Sequence, residues 1–425
     1  MSNHSRNFLF IRSILFSVTT KAVGFFVVFA CLPLAALSLT VTEYAAFNFS
    51  MAATGAVAII FSPIATTFVV RFAHLTSTDD VYMKRLAGGA FAIFATLAAI
   101  LELPAIAVAY WLSPAGFKIP IACAAAAVVA TTALSWVDAF RLGNRQDHIS
   151  SAFGLANNIT IILGFVLLFH YQRLNFEHVL GIYYLSPLCW ASISLLQLLH
   201  SSGIRIHFAV GAEEWKRALL QARPNIINSI SDYLKLYGAS FIAFYASSAQ
   251  GYAAFSTAQL FIARLTNPLS LLARPLIPAY VDASARADKE WIMWLKRLMG
   301  LLCLSGPLSA CIASIAITLL RPSELRFGVL VLSGGELGWY LVSGVLLFSS
   351  TVTLMLLASI YLARREMGLF SGTCLLVNVL AIGIGGTLAY SSGPVAMLAA
   401  LALGGTLSSL YLSWRFVSPT AQNGI

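Results

Sequence analysis

Several charged side chains interrupt apolar runs of this sequence that are long enough to cross a lipid bilayer, among them Lys21, Asp232, Lys235, Arg264 and Arg274. A charge at the bilayer centre costs about 2.5–3.5 kcal/mol on insertion scales, so such residues normally face the interior of a helix bundle or a water-filled cavity. Guanidinium groups match the oxygens of a phosphate, and an ammonium group supplies a mobile point charge. The surplus of cations therefore predicts a cavity that binds an anionic group such as a diphosphate.

Structural explanations compete with this binding role at some of the positions. Asp232 and Lys235 are three residues apart, so they can pair along one face of a helix. Arg274 lies near a predicted span end, where its long side chain can reach the interface. Arg264 and Lys21 lie deeper, and binding is the better explanation for both. Because Arg264 and Arg274 are separated by about 15 Å along a helix, they can line one cleft at two depths but cannot hold one phosphate together.

Three acids are candidates for proton coupling. Glu102 lies inside an apolar run, Asp138 lies near the end of another, and Asp232 shares its run with Lys235. An ionisable residue within the membrane is a functional candidate by default. Pairing with a nearby cation is the plain alternative for each, and for Asp138 an interfacial position is another.

The composition is that of an integral membrane protein. Of the 425 residues, 59% are hydrophobic and 10% are charged, whereas soluble domains have about 25% charged residues. Mean hydropathy is +0.84. The six cysteines all lie in apolar runs without paired spacing, so we interpret them as small buried apolar residues rather than disulfides or metal ligands. No metal, cofactor or nucleic-acid partner is predicted.

Apolar runs between polar breaks predict about twelve transmembrane helices in two halves. The first lobe occupies residues 1–200, a polar cytoplasmic linker occupies 201–224, and the second lobe occupies 225–425. We therefore expect an all-α membrane protein with two six-helix lobes around a central cavity. The predicted spans are 13–39, 44–72, 86–112, 119–140, 149–170, 178–200, 225–246, 252–281, 295–319, 336–362, 367–390 and 394–415.

The positive charges predict the orientation of these spans. Most of the 26 lysine and arginine residues fall in alternate loops on one side. Loops on the cytoplasmic side carry the excess of Lys and Arg. Both termini and the central linker should therefore be cytoplasmic. The opposite loops hold only Lys118, Arg173, Arg321 and Arg326.

A short repeat supports the two-half organisation. Tyr44-Ala45-Ala46-Phe47 follows the first span, and Tyr252-Ala253-Ala254-Phe255 follows the seventh. The same four residues recur at the same topological place, the outer end of the first hairpin in each half. Internal repeats of this kind are common in transporters and predict a duplicated, two-lobed molecule.

The stretch Leu39-Thr40-Val41-Thr42-Glu43-Tyr44-Ala45-Ala46-Phe47 resembles a leucine, glutamate-tyrosine-glycine and phenylalanine hairpin of bacterial polysaccharide flippases. These belong to the multidrug/oligosaccharidyl-lipid/polysaccharide exporter superfamily. Ala45 stands here in place of the glycine of that motif. The twelve-span plan, with basic residues in the first and seventh spans, extends the resemblance over nearly the whole chain.

The resemblance implies translocation of an undecaprenyl-diphosphate-linked oligosaccharide, such as an O-antigen or exopolysaccharide repeat unit. The direction would be from the cytoplasmic to the periplasmic leaflet of a bacterial inner membrane, by alternating access. Lys21, Lys235, Arg264 and Arg274 would then bind substrate. Other membrane proteins of polysaccharide assembly are candidate partners.

Two other classes compete with a flippase. A cation-coupled drug antiporter of the same superfamily would want an acidic cavity, which the cation surplus disfavours. A membrane polysaccharide polymerase or ligase would need reactive groups on a large outer loop. The outer loops here are short, and the sequence contains no nucleophile–base motif, histidine ligand spacing or glycine-rich phosphate loop. We therefore expect a protein that is not an enzyme.

Overall fold

The computed structural model describes residues 3–75, 80–144, 146–206, 212–266, 276, 280, 283–284, 286–320, 324–364 and 366–418. This part of the chain is almost entirely helical, as predicted. By its internal contacts the chain divides into two compact units, unit 1 (Met1–Ser229) and unit 2 (Ile230–Ile425). Eight of the described helical segments are long and apolar enough to cross a membrane.

Unit 1 contains the predicted spans one to six. The fourth span is broken at Leu134, and the sixth contains a π-helical turn, Gly181–Leu185. Its helices are α1 (Asn3–Ser38), α2 (Val41–Leu75), α3 (Asp80–Leu112), α4 (Lys118–Ala133), α5 (Ser135–Gly143), α6 (Asp147–His170), α7 (Phe176–Leu180) and α8 (Ser186–Ser202).

The polar linker predicted at 201–224 belongs to unit 1, and unit 2 begins shortly after it, at Ile230. That segment is not a separate element, because one helix starts at Ala212 and continues into the seventh span. A second π-helical turn, Leu234–Gly238, interrupts this span. Helix α9 (Ala212–Tyr233) crosses the boundary between the two units. The helices that follow it in unit 2 are α10 (Ala239–Ala246), α11 (Ala249–Thr266), α12 (Lys289–Leu320), α13 (Gly334–Ala363), α14 (Met367–Ser392) and α15 (Val395–Val417).

A β-hairpin, which the sequence did not predict, connects α12 and α13. Strand β1 (Glu324–Phe327) pairs antiparallel with β2 (Leu330–Ser333), and Gly328 supplies the left-handed turn residue. The Gln250 side-chain amide donates to the Val331 carbonyl at 2.7 Å, which fastens the hairpin to the start of α11.

Serine or threonine caps, each with a glutamate three residues later, start two of the long helices. At α2, Thr40 Oγ1 accepts from the Glu43 main chain, and the Glu43 carboxylate accepts from the Thr40 main chain at 2.9 Å. Ser333 and Glu336 make the same exchange at α13. This capping box satisfies main-chain N–H groups that the first turn of a helix leaves without partners.

The repeated motif occupies equivalent places in the two units. Each copy lies in the first turns of the unit's second long helix, and all four residues of each copy are buried. A second correspondence was not visible in the sequence. Asn158 Nδ2 donates to the Thr20 carbonyl at 3.1 Å, and Asn378 Nδ2 donates to the Ser231 carbonyl at 3.2 Å. In each unit the fifth predicted span thus hydrogen-bonds to the first.

Glycines allow α15 to pack closely against both α14 and α13. A Cβ atom at Gly385 would lie 2.8 Å from the Met397 sulfur, and one at Gly405 would lie 2.6 Å from Ser350 Oγ. Gly383 differs, because a Cβ there would meet no atom within 4 Å. Small residues permit such close helix contact in membranes.

The six cysteines are free, as their spacing indicated. Three of them are exposed rather than buried, because apolar surface that faces lipid needs no cover: Cys123, Cys189 and Cys311.

Candidate functional site

A cluster of polar side chains lies among the apolar helices of unit 2. It is built around the π-helical turn that joins α9 to α10, and it includes side chains from α11, α13 and α14. Turns of this kind loosen the regular helical hydrogen-bond ladder and often occur at functional sites. We call this set the unit 2 polar cluster: Ser231, Asp232, Lys235, Ser240, Gln259, Thr351 and Asn378.

Lys235 is the centre of this cluster. Its side chain is only 8% exposed, and Nζ donates to Thr351 Oγ1 at 2.6 Å. The Thr351 hydroxyl donates its single proton to the Leu347 carbonyl at 2.6 Å. Since that proton is already used, the hydroxyl oxygen presents its lone pairs to the ammonium group. A cation in an apolar helix bundle is thereby solvated by a neighbouring helix.

Asp232 supplies the charge that balances Lys235. The two residues are three positions apart along the helix, and the carboxylate attracts the ammonium group electrostatically. The Asp232 side chain is itself exposed, whereas Lys235 is buried. The pair therefore joins a buried cation to an acid that is open to the surroundings of the helix.

Uncharged side chains of α11 and α14 form hydrogen bonds with the cluster residues of α9 and α10. Gln259 of α11 donates from Nε2 to the Lys235 carbonyl at 2.9 Å and accepts from Ser240 Oγ at 2.8 Å. Asn378 of α14 donates to both oxygens of Ser231, at 3.1 and 3.2 Å. Sequence reasoning missed these residues because neutral polar side chains are common in membrane spans. The one available signal was that Ser231 and Lys235 are four apart, and thus on one helix face.

The other predicted cations lie wholly or partly outside the described residues. Lys21 belongs to α1 and Arg264 to α11, but neither side chain is among those described, and Arg274 lies outside the described residues altogether. The residue before Lys21 contacts α6, because Thr20 Oγ1 donates to the Ser151 carbonyl at 2.7 Å. The polar contacts between α1 and α6 therefore involve Thr20, the residue before Lys21. In the same way, the contacts between α9 and α14 involve Ser231, the residue before Asp232.

Glu102 and Asp138 are not buried, although both lie in apolar runs. Each side chain is exposed in the structure of unit 1. An apolar run does not reveal which of its residues lie at the surface, and Glu102 is exposed together with its neighbours Leu103 and Pro104. Asp138 acts electrostatically on Arg141, one turn further along α5. The coupling role and the pairing alternative for Asp138 both stay predictions.

Arg141 directly follows the predicted fourth span, 119–140, so the sequence predicts it in a cytoplasmic loop, and the structure instead buries it completely. Its guanidinium donates to Ser194 Oγ at 2.5 Å, to the Ser194 carbonyl at 2.7 Å and to Gln197 Oε1 at 2.6 Å. Its Cζ lies 5.0 Å from the centre of the Phe153 ring. Arg141 therefore joins α5, α6 and α8. Its position at the end of an apolar run made it look like a loop residue in the sequence.

Metal binding finds no support in the described part of the chain, where no group of three histidine, cysteine or acidic side chains could hold a metal ion. The fold and the polar cluster together define the class of this protein: a multi-pass, two-unit, α-helical membrane protein that carries ionisable groups inside its helical units.

Solved structures with the same fold narrow that class. The chain is similar to an inward-facing multidrug resistance MATE family transporter of the MOP superfamily (TM-score 0.70, 11% identity, 96% of each chain). It is also similar to the lipid II flippase MurJ in an inward closed conformation (TM-score 0.68, 13% identity, 94% of this chain and 86% of that one). A third similar structure is a mutant of the Vibrio cholerae MATE transporter VcmN (TM-score 0.57, 14% identity, 98% of this chain and 97% of that one).

At these identities the likeness concerns the fold, which is that of MATE and MurJ proteins. No protein-family model and no curated protein sequence matches the chain.

Proposed function

We propose that this protein translocates an undecaprenyl-diphosphate-linked oligosaccharide from the cytoplasmic to the periplasmic leaflet of a bacterial inner membrane. The observation that carries the proposal is the cation surplus in apolar helices. Because Asp232 and Thr351 already satisfy Lys235, the surplus belongs to Lys21, Arg264 and Arg274. These three residues are our candidates for binding the diphosphate, and Lys235 would contribute once its contact with Thr351 is exchanged for substrate.

The proposed transport is driven in part by the membrane potential. The cell interior is negative, so moving an anionic diphosphate outward is favourable by about 2.3 kcal/mol per charge per 100 mV. The two units would act as lobes that alternately open to each side, with residues 201–224 as the connection and both termini cytoplasmic. Glu102, Asp138 and Asp232 are the candidates for coupling this movement to an ion.

The likeness to a lipid II flippase supports this choice, because that protein also handles a lipid-linked substrate. The likeness to multidrug transporters favours a second candidate, a cation-coupled drug antiporter. For that function Asp232 and Glu102 would be the important residues, because a cationic drug needs an acid. A polymerase or ligase is the third and weakest candidate, since all the similar proteins named above are transporters or flippases.

Transport in liposomes tests the proposal. We expect wild type to move a fluorescent polyprenyl-diphosphate oligosaccharide between leaflets, as measured by the access of a membrane-impermeant quencher. Lys21→Ala, Arg264→Ala and Arg274→Ala should each slow this movement, because each removes a cation proposed to contact the diphosphate. Arg173→Ala is the matched control, since Arg173 is exposed in the loop after α6.

A second arm with the same liposomes separates the candidates. Ethidium efflux driven by a sodium or proton gradient should be absent from wild type. The antiporter would replace the flippase proposal if wild type exports ethidium and does not move the lipid-linked sugar, and if Asp232→Asn abolishes the ethidium efflux.

A further inference from the structure

An apolar groove runs along one side of unit 2, between α11 and α13. Its volume is about 420 Å³. Phe261 lines the α11 wall and Phe348 lines the α13 wall, while Leu330 and Leu332 of the β-hairpin border one end. Gly344 on α13 faces Ile262 of α11, and a Cβ added at this glycine would lie 3.5 Å from the Ile262 side chain, at ordinary van der Waals distance.

The few polar groups in the groove are engaged within the protein. Thr257 Oγ1 donates to the Ala253 carbonyl at 2.7 Å, and the Tyr340 hydroxyl is directed at the Gly251 carbonyl at 3.5 Å. Both hydroxyl protons thus point at the chain's own carbonyl groups. A polar or charged ligand would lose hydrogen bonds to water here and gain none, so the groove suits a hydrocarbon occupant.

The length of the groove matches one leaflet of a bilayer. Its lining extends from Ala254 to Leu265 on α11 and from Leu337 to Phe348 on α13. At 1.5 Å per residue each wall is about 16 Å long, and half of a hydrocarbon core of about 30 Å is about 15 Å. The groove therefore covers the depth of the leaflet on the hairpin side, which the predicted orientation makes the outer leaflet.

The groove is narrow for its length. A volume of about 420 Å³ along walls of about 16 Å favours a thin, extended occupant such as a hydrocarbon chain. The groove is also too narrow for the bulky sugar part of a lipid-linked oligosaccharide.

We propose that this groove is a binding site for one acyl chain of a bilayer phospholipid from the leaflet on the hairpin side. The bilayer that surrounds the helices supplies this ligand at high concentration. Binding would fill the space between α11 and α13 and stabilise their packing, because apolar walls without a partner lose dispersion contacts. The site is independent of what the protein transports.

Photo-cross-linking tests this site. The protein is reconstituted in phosphatidylethanolamine–phosphatidylglycerol liposomes that contain phosphatidylethanolamine with a diazirine on one acyl chain. We expect saturable labelling of α11 and α13 peptides that approaches one probe per chain. Gly344→Leu should reduce this labelling about fivefold because it fills the groove. Ala258→Leu fills the groove from the opposite wall and should reduce the labelling in the same way. It provides the test if Gly344→Leu misfolds.

Matched controls separate binding from general contact with lipid. Gly383→Leu makes the same change at an open position of α14 and should leave groove labelling unchanged. Peptides from the exposed face of α12, which carries Leu301, Leu304 and Leu308, should be labelled equally in every variant and without saturation.

Three results would overturn the proposal. The first is groove labelling that rises without saturation, like that of α12. The second is unchanged labelling in folded Gly344→Leu or Ala258→Leu protein. The third is labelling by a diazirine polyprenyl phosphate with none by the phospholipid probe, which would identify an isoprenoid chain as the occupant instead.

Discussion

Two cations inside the helical units, Lys235 and Arg141, are held by hydroxyl, amide and carbonyl oxygens of neighbouring helices. Lys235 has one such oxygen, from Thr351, together with the charge of Asp232. Arg141 has three oxygens, all on α8. This difference in the number of hydrogen bonds favours a structural role for Arg141 and an exchangeable one for Lys235. Three hydrogen bonds to one helix fix Arg141 in place, whereas one hydrogen bond and an exposed acid leave Lys235 able to exchange partners.

A double-mutant cycle tests the pairing of Asp232 with Lys235. Asp232→Asn and Lys235→Met should each lower the thermal unfolding midpoint, because each leaves one charge without its partner. The double variant should be more stable than the sum of the single effects predicts, by about 0.5–3 kcal/mol, the range for residues in one network.

Thr351→Val is the companion variant in this cycle. It removes the acceptor of Lys235 while leaving both charges. Introduced alone, Thr351→Val should lower the free energy of unfolding. Introduced into the Lys235→Met variant, it should change the free energy of unfolding little. Strictly additive effects across the cycle would show that these residues do not form one network.

At the scale of single elements, helix ends and π-helical turns decide where polar groups can lie. The turn Leu234–Gly238 places Lys235 where Gln259 can bond its carbonyl group. The capping box of Ser333 and Glu336 determines where α13 begins, immediately after the hairpin that borders the apolar groove between α11 and α13. Thr351 lies further along the same helix, so the start of α13 also sets the position of the acceptor for Lys235.

Ser333→Ala tests the role of this helix start. The variant loses a side-chain acceptor for the Glu336 main chain and should lower the free energy of unfolding by about 1 kcal/mol. Amide hydrogen exchange should increase in the first turn of α13. Ser391→Ala, at an exposed position near the end of α14, is the control and should do neither. Unchanged exchange around Glu336 would contradict this role for the cap.

At the scale of the whole molecule, the duplication relates the two units. The buried Tyr-Ala-Ala-Phe motif and the asparagine bond from the fifth to the first span occur in both. The asparagine bonds lie next to Lys21 in unit 1 and next to Asp232 in unit 2. In both units the residue that follows the bonded carbonyl group is therefore charged.

Cross-linking the two units tests alternating access. Thr42→Cys in unit 1 and Gln250→Cys in unit 2, introduced after replacement of the six native cysteines, are joined with bifunctional maleimides of increasing length. A short cross-link should stop transport of the lipid-linked sugar, because it keeps the outer ends together.

A cross-link within unit 1 is the control for this experiment. Joining Thr42→Cys to Lys118→Cys should leave transport intact, since both positions move with one lobe. Transport at the wild-type rate in a fully cross-linked sample between the units would refute rocking of the lobes as the mechanism.

Hydropathy alone was enough to predict the helical fold. Runs of apolar residues as long as a bilayer is thick can satisfy their main-chain groups in lipid only as helices. Within the described residues the predicted spans therefore coincide with helices from α1 to α15, and the repeat at Tyr44 and Tyr252 indicated the two halves. The charge pattern also picked out Lys235 and Asp232 as neighbours, because contacts at a spacing of three residues are local to one helix.

Only the tertiary structure decided which faces of those helices meet. A one-dimensional pattern does not show that Thr351, more than a hundred residues away, solvates Lys235. Nor does it show that Arg141 is buried against α8 while Glu102 points outward. The groove between α11 and α13 is lined by one face of each helix, including Gly344, and by the hairpin β1–β2 at one end. Such contacts depend on how helices that are distant in the sequence pack together. Hydropathy describes residues along the chain and does not predict which helices pack against each other.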